Sequence, residues 1–215
     1  MKFENTKVCN FDSAFRSLRN PMDSWDKSDS HYLNCGGKID LETYVLGKND
    51  LNLAQRMIKG GSEESKFLRS IIVSTDVVAP RYWWSEFDTY KVGTVSNSCS
   101  TMHKLSAYPI TTDMFEIDKN ANGEIEELSY WTILVDHLEM LRQKYLRDKN
   151  YKWFRLMKQE LPESFLQRRT ITLNYAVLRN MIHQRKNHRL KEWSIVFIEW
   201  CHTLPYAEEL LFYNN

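Results

Sequence analysis

Between Ile125 and Tyr145, apolar residues fall at positions 125, 128, 131, 135, 138, 141 and 145. Steps of three and four gather all seven on one face of an α-helix, and a strand would scatter them over both faces. The chain must therefore build a core against a helix of about six turns. The material is present, since 42% of the 215 residues are hydrophobic and 13% are aromatic. Such a composition is globular, and the length suits one substantial core, so residues 1–215 are expected to form a single domain.

Other elements group around that helix. "NDLNLAQRMIKGG" predicts a helix started by Asn49 or Asp50 and ended by Gly60 and Gly61. "FLRSIIVSTDVV" is rich in β-branched residues and predicts a strand; Pro80 ends it and opens a helix over 81–91. "YKWFRLMKQE" predicts a helix ahead of the turn at Pro162, "RRTITLN" alternates as a strand does, and helices are expected at 174–186, 189–202 and 205–212. Residues 1–50 show no strong period, with Gly36 and Gly37 marking a turn, and their role stays open. The order describes an α+β chain in which helix dominates.

Several classes of function are disfavoured. A formal net charge of +1 supplies no overall field for nucleic acid or acidic lipid, so neither partner is expected. No apolar run is long enough to span a bilayer, and "MKFENTKVCNFDSAFRS" lacks a signal-peptide core, so a cytoplasmic location is expected. Cys9, Cys35, Cys99 and Cys201 form no CxxC pair and are expected as reduced thiols. No metal site is indicated: His31 and Cys35 have helical ligand spacing but are only two residues, and His183 and His188 do not share a helix face. "DKNANGEIEELS" resembles a calcium loop until its twelfth position, where Ser129 replaces the required glutamate; an Asn-Gly turn leading into the long helix is expected instead.

Two stretches could carry chemistry. "RYWWSEFDTYKVGTVSNSCSTMHK" places bulky aromatics on a helix and follows them with small polar residues, which is either a loop or backbone cleared for a ligand. Arg168, Arg169, Arg179, Arg185, Lys186, Arg189 and Lys191 form a basic run. With so little net charge, a small anion such as a nucleotide suits it better than a polymer, and arginine offers a planar fork for phosphate or a pyrimidine carbonyl.

"LPESFLQRRTITLNYAVLRNMIHQR" resembles the C-terminal nucleotide and flavin segment of the flavin-dependent thymidylate synthases, with Leu161, Pro162, Arg168, Asn174, Leu178, Asn180 and Arg185 in register. "HRLKE" supplies His188 and Glu192 if one residue is deleted, and "STDVVAPRYWW" is similar to the strand and helix entry before the family signature. The signature RHRxxSxNxxSxRY becomes "TYKVGTVSNSCSTM", in which Lys91 and the hydroxyl of Thr94 are kept, Cys99 replaces serine, and Thr101 and Met102 replace Arg-Tyr. The resemblance spans roughly residues 55–212.

What the resemblance implies is a helix-rich single domain with a small central antiparallel sheet, acting as a homotetramer with sites at subunit interfaces. Arg168 would hold the phosphate of dUMP and Arg185 would contact the pyrimidine and act as the catalytic cation, with Cys99 and Ser100 also on the substrate. Lys91, Thr94, Asn174, Asn180 and His188 would face FAD, with NADPH and methylenetetrahydrofolate as co-substrates for C5 methylation of dUMP or a related pyrimidine nucleotide. Two alternatives stay open: a relative that binds a nucleotide without turnover, and a small helical interaction protein whose aromatics are core.

Overall fold

The computed structural model describes residues 1–35 and 38–215; the turn expected at Gly36 and Gly37 lies outside them, as do the side chains of residues 35, 38, 39, 41 and 42. In chain order the elements are β1 (Lys2–Cys9), α1 (Phe11–Arg19), β2 (His31–Cys35), β3 (Lys38–Val45), α2 (Lys48–Lys59), β4 (Ile72–Pro80), α3 (Arg81–Phe87), β5 (Val95–Ser98), α4 (Thr101–Lys104), α5 (Leu128–Asp148), α6 (Tyr151–Glu160), β6 (Leu166–Asn174), α7 (Tyr175–Arg185) and α8 (Ile198–His202). Single π-turns at Glu192–Phe197 and Ala207–Leu211 take the place of regular helix at 189–197 and 205–212. The chain is helix-rich with a small antiparallel sheet, as expected.

Strands order as β1-β4-β6-β5, and β2 pairs antiparallel with β3 in a separate hairpin. Side chains on neighbouring strands give the direction: Asn5 meets Asp76 and Thr6 meets Thr75, while Thr170 meets Asp76 and Thr172 meets Ser74. Residue numbers rise on one strand as they fall on the next, so both pairs are antiparallel. β4 is flanked on both sides and alternates intermediate and buried residues. β1 and β5 are the edges, and no residue of either is buried. That is why residues 2–9 and 95–98 show no apolar alternation.

The described residues divide into two compact units: Met1–Lys2, Val77–Thr89 and Asn97–Arg169 in the first, and Phe3–Asp76, Tyr90–Ser96 and Thr170–Asn215 in the second. In the first, Val135, Leu138 and Leu141 of α5 pack with Phe154 and Met157 of α6 and with Ile110 and Phe115. Trp83, Trp84 and Phe87 are buried together, Phe87 stacked on Trp83 and Trp84 edge-on to both, so the paired tryptophans are core. In the second, Phe11 meets Tyr175 and Tyr206 edge-on, and Phe15 of α1 meets Phe67.

Four boundaries differ from expectation for local reasons. α3 stops at Phe87 rather than residue 91, because the Thr89 hydroxyl donates to the Glu86 carbonyl at 2.7 Å and takes the acceptor that another helical turn would need. α5 starts at Leu128 rather than Ile125: Lys119 bridges Ile125, and the Asn120 side chain accepts the N–H groups of Asn122 and Glu124. The segment that resembles a calcium loop is thus a closed Asx turn. Residues 66–70 form a 3₁₀ turn that buries Phe67 and Leu68, so β4 begins only at Ile72. The start of α2 is not capped by its own Asn49 or Asp50; the carboxylate of Asp29 accepts the N–H of Asn49 at 2.9 Å and of Asp50 at 3.1 Å.

The first unit contains an acid-sensitive pair. Glu139 accepts from Arg142 Nε and Nη2, both at 2.7 Å, and from the Ile110 N–H. The Arg142 guanidinium leads in holding its carboxyl down at about 2, against the opposing effect of burial. A depressed carboxyl stabilises the fold above its unfolded value and stops doing so as pH falls through the folded one. Between about pH 4.5 and 2, Glu139 is therefore expected to give up on the order of 1 kcal/mol, because solvent screens a pair this near the surface. Urea titrations of the parent and of Glu139→Gln across that range should converge at low pH; a gap that does not narrow would refute the assignment.

Candidate functional site

In the first unit, the small-residue tract is tied to β6. The Cys99 N–H donates to the Arg168 carbonyl at 2.8 Å, and Gln167 Nε2 donates to the Cys99 carbonyl at 3.0 Å. β6 is held in turn by α3, since Trp84 Nε1 donates to the Gln167 carbonyl at 2.9 Å. These bonds shape one wall of a cavity of about 620 Å³, into which Cys99, Ser100, Thr101, Lys104 and Arg168 are all drawn. Lys2 adds a further cation, Asp113 is the one carboxylate in the lining, and Tyr108, Leu105 and Phe165 provide apolar surface. The size and the mixture of a flat apolar side with converging cations suit a small aromatic anion.

Thr101 has a further neighbour, Lys158 of α6, whose Nζ donates to its hydroxyl at 2.6 Å. Burial first, and the charge of Arg81 second, lower the Lys158 ammonium below its ordinary range. A cation thus reaches the cavity wall through Thr101. Lys104 and Lys158 are the residues that sequence reasoning missed here. Nothing marks them, because isolated lysines on helices are ordinarily solvated.

In the second unit, the Tyr90–Ser96 loop rests on α7. Gly93 has a positive φ of 75°, and a Cβ there would lie 3.1 Å from Val177 and 3.2 Å from Asn174 Nδ2, so both backbone conformation and space call for glycine. Asn174 caps α7 by accepting the Val177 N–H at 3.0 Å, and the Thr94 hydroxyl donates to the Tyr90 carbonyl. Tyr90 OH donates to Gln184 at 2.8 Å and accepts from Arg185 Nε at 2.8 Å. The Arg185 guanidinium also lies 4.7 Å from the Trp193 ring centre. Tyr90 and Trp193, neither of them anticipated, therefore fix the direction of Arg185.

The remaining expected residues are distributed over the same unit. His188 accepts the Leu190 N–H at Nδ1, which in the neutral ring leaves the proton on Nε2, and its ring sits edge-on to Trp193. Asn180 accepts from Gln184 and lines a cavity of about 550 Å³ together with Arg69, Arg179 and His183. Lys91 is exposed and makes no hydrogen bond or ion pair among the described residues. Two members of the basic run have structural work instead. In the first unit Arg169 pairs with Asp88 at 2.8 Å and stacks over Trp84, and in the second Arg179 Nη1 donates to the carbonyls of Leu210, Leu211 and Tyr213. Of the cysteines, Cys9, Cys99 and Cys201 are free, and burial pushes the Cys201 thiol well up.

Among the described residues, no helix is long and apolar enough to cross a membrane, and no three of His, Cys, Asp and Glu are grouped to hold a metal ion. No protein-family model matches the sequence, and no curated protein matches it. Solved structures do. A flavin-dependent thymidylate synthase ThyX from Helicobacter pylori, complexed with FAD and dUMP, is 20% identical with a TM-score of 0.68, over 100% of this chain and 99% of that one. A second structure of ThyX from the same organism with FAD and dUMP is 19% identical with a TM-score of 0.70, covering 100% and 98%. The expected fold is therefore the observed one: this chain is folded, end to end, as the flavin-dependent thymidylate synthases are.

Proposed function

We propose that the protein is a flavin-dependent enzyme that methylates C5 of a pyrimidine nucleotide, dUMP or a close relative, in the cytoplasm and as a homotetramer. The observation that carries the reading is the cavity of the first unit, where Cys99, Ser100, Thr101, Lys104 and Arg168 converge, in a chain with this fold. Arg168 and Lys104 would hold the phosphate, with Lys158 raising the positive potential through Thr101. Ser100, whose hydroxyl makes no hydrogen bond among the described residues, would donate to the ligand, and Cys99 would flank it. Arg185 is assigned to the base by the resemblance. There a fixed guanidinium would stabilise charge on a pyrimidine oxygen as C5 becomes nucleophilic.

The second unit's donors fit a flavin ring better than its diphosphate. Asn174 Nδ2, Asn180 and the Nε2 of His188 are amide and imidazole donors of the kind a pyrimidine-like edge takes, and Lys91 is the cation that the resemblance assigns to the flavin. When bound, FAD supplies hydride transfer between NADPH and the one-carbon unit of methylenetetrahydrofolate. Asn174, Asn180, His188, Lys91 and Thr94 would bind and orient it.

Purified protein should be yellow and release flavin on denaturation. With NADPH and methylenetetrahydrofolate it should release tritium from C5 of dUMP, UMP or dCMP. FAD-loaded protein that releases none from all three would end the methylating reading. A second reading, nucleotide binding without turnover, is favoured by one observation: Tyr90, at a position where the signature has histidine, already engages Arg185. Colourless protein that gains thermal stability with these nucleotides would support it.

A further inference from the structure

We propose that the second unit carries an anion site of its own, for a small molecule bearing a diphosphate, in a cavity beside α1 and α2. This cavity, of about 370 Å³, is lined by Arg19, Lys27, Asn49, Asn52 and Arg56. Asn49, Asn52 and Arg56 are spaced three and four apart and share the exposed face of α2, opposite the buried Leu53, Ala54 and Ile58. Arg19 ends α1, and Lys27 ends the second of the two 3₁₀ turns that follow it, Trp25–Lys27. Three cations and two amides thus converge, and no carboxylate is in the lining.

The bonding pattern indicates donors held ready for something. The side chains of Lys27, Asn49, Asn52 and Arg56 make no hydrogen bond or ion pair among the described residues. Arg19 is only 5% exposed, and its guanidinium is oriented by two bonds, Nε to Asp50 Oδ1 at 2.7 Å and Nη2 to the Lys27 carbonyl at 3.1 Å. Its Nη1 has no partner among the described residues. The carboxylates behind the cavity are committed: Asp50 to Arg19, Ser28 and Ser30, and Asp29 to the start of α2. Arg19 is balanced by Asp50, but Lys27 and Arg56 have no counter-ion among the described residues, and an oxyanion would neutralise these two while accepting from the preoriented guanidinium. A diphosphate matches both the charge and the spread of donors along two turns of α2.

The site is independent of the nucleotide reading, and its test separates the two. Inorganic pyrophosphate is titrated by calorimetry into the full chain at fixed ionic strength, alongside Lys27→Ala/Arg56→Ala and Lys104→Ala. Both substituted positions of the double variant are exposed, so its unliganded melting temperature should match the parent. Pyrophosphate should bind the parent and Lys104→Ala alike, and the double variant at least tenfold more weakly. ADP binding more tightly than pyrophosphate at this site would identify the diphosphate as part of a nucleotide; equal affinity would identify a free diphosphate. No pyrophosphate binding by the parent, affinity in the double variant within twofold of the parent, or loss of binding in Lys104→Ala would each overturn the proposal.

Discussion

Asp50→Ala is expected to destabilise the protein by about 3–5 kcal/mol, the largest loss from any single surface-distant carboxylate in the second unit. Asp50 is fully buried and accepts at every side: Arg19 Nε at 2.7 Å on Oδ1, and Ser28 Oγ at 2.7 Å, Ser30 Oγ at 2.6 Å and the N–H groups of Ser30 and Asp29 on Oδ2. Burial pushes this carboxyl up, but the hydrogen bonds from Ser30, Ser28 and Arg19 outweigh it, and the net direction is down. Its stabilisation is present above the ordinary carboxylate range and is lost as pH falls through the folded value. Alanine removes the acceptor and leaves the Arg19 guanidinium, 5% exposed, without its counter-charge. For a chain of this length the loss corresponds to a melting temperature lower by about 6–20 °C. Urea denaturation measures it directly. A loss below about 1 kcal/mol would mean that the pair does not hold α1 to the start of α2.

Arg168→Ala is expected to weaken nucleotide binding by about 10- to 150-fold, the effect of deleting one charge-assisted phosphate contact of about 1.5–3 kcal/mol. The fold should survive, because the link to the small-residue tract uses the backbone carbonyl of residue 168, which alanine keeps. Lys104→Ala should act in the same direction, and added salt should narrow the difference between each variant and the parent. Calorimetry with dUMP, UMP and dCMP reads both affinity and base preference. If all three bind Arg168→Ala as they bind the parent, the 620 Å³ cavity is not the nucleotide site.

The reach of sequence reasoning followed burial. α5, α6, α7 and the central strands β4 and β6 were legible because each buries one side, and burial imposes a period. The edge strands β1 and β5 were not, since an edge with no buried residue has no reason to alternate. Asn49 and Asp50 looked like caps for α2 because they are polar residues at a helix start. The actual cap is Asp29, whose contact with this turn leaves no room for a side chain at Gly47, where a Cβ would lie 2.1 Å from the Asp29 carboxyl carbon.

The site divides in the same way. From the sequence alone came the register of Arg168, Asn174, Asn180 and Arg185 on which the resemblance rests, because spacing within one strand and one helix is a local property. Only the tertiary structure decided that Arg169 and Arg179 are structural, that Tyr90 and Trp193 orient Arg185, and that Lys158 stands behind Thr101. Those contacts join residues tens of positions apart, and their partners are chosen by packing rather than by any neighbour in the chain. The same reason hid the cation cluster of Arg19, Lys27 and Arg56, whose members meet only where α1 and α2 pack together.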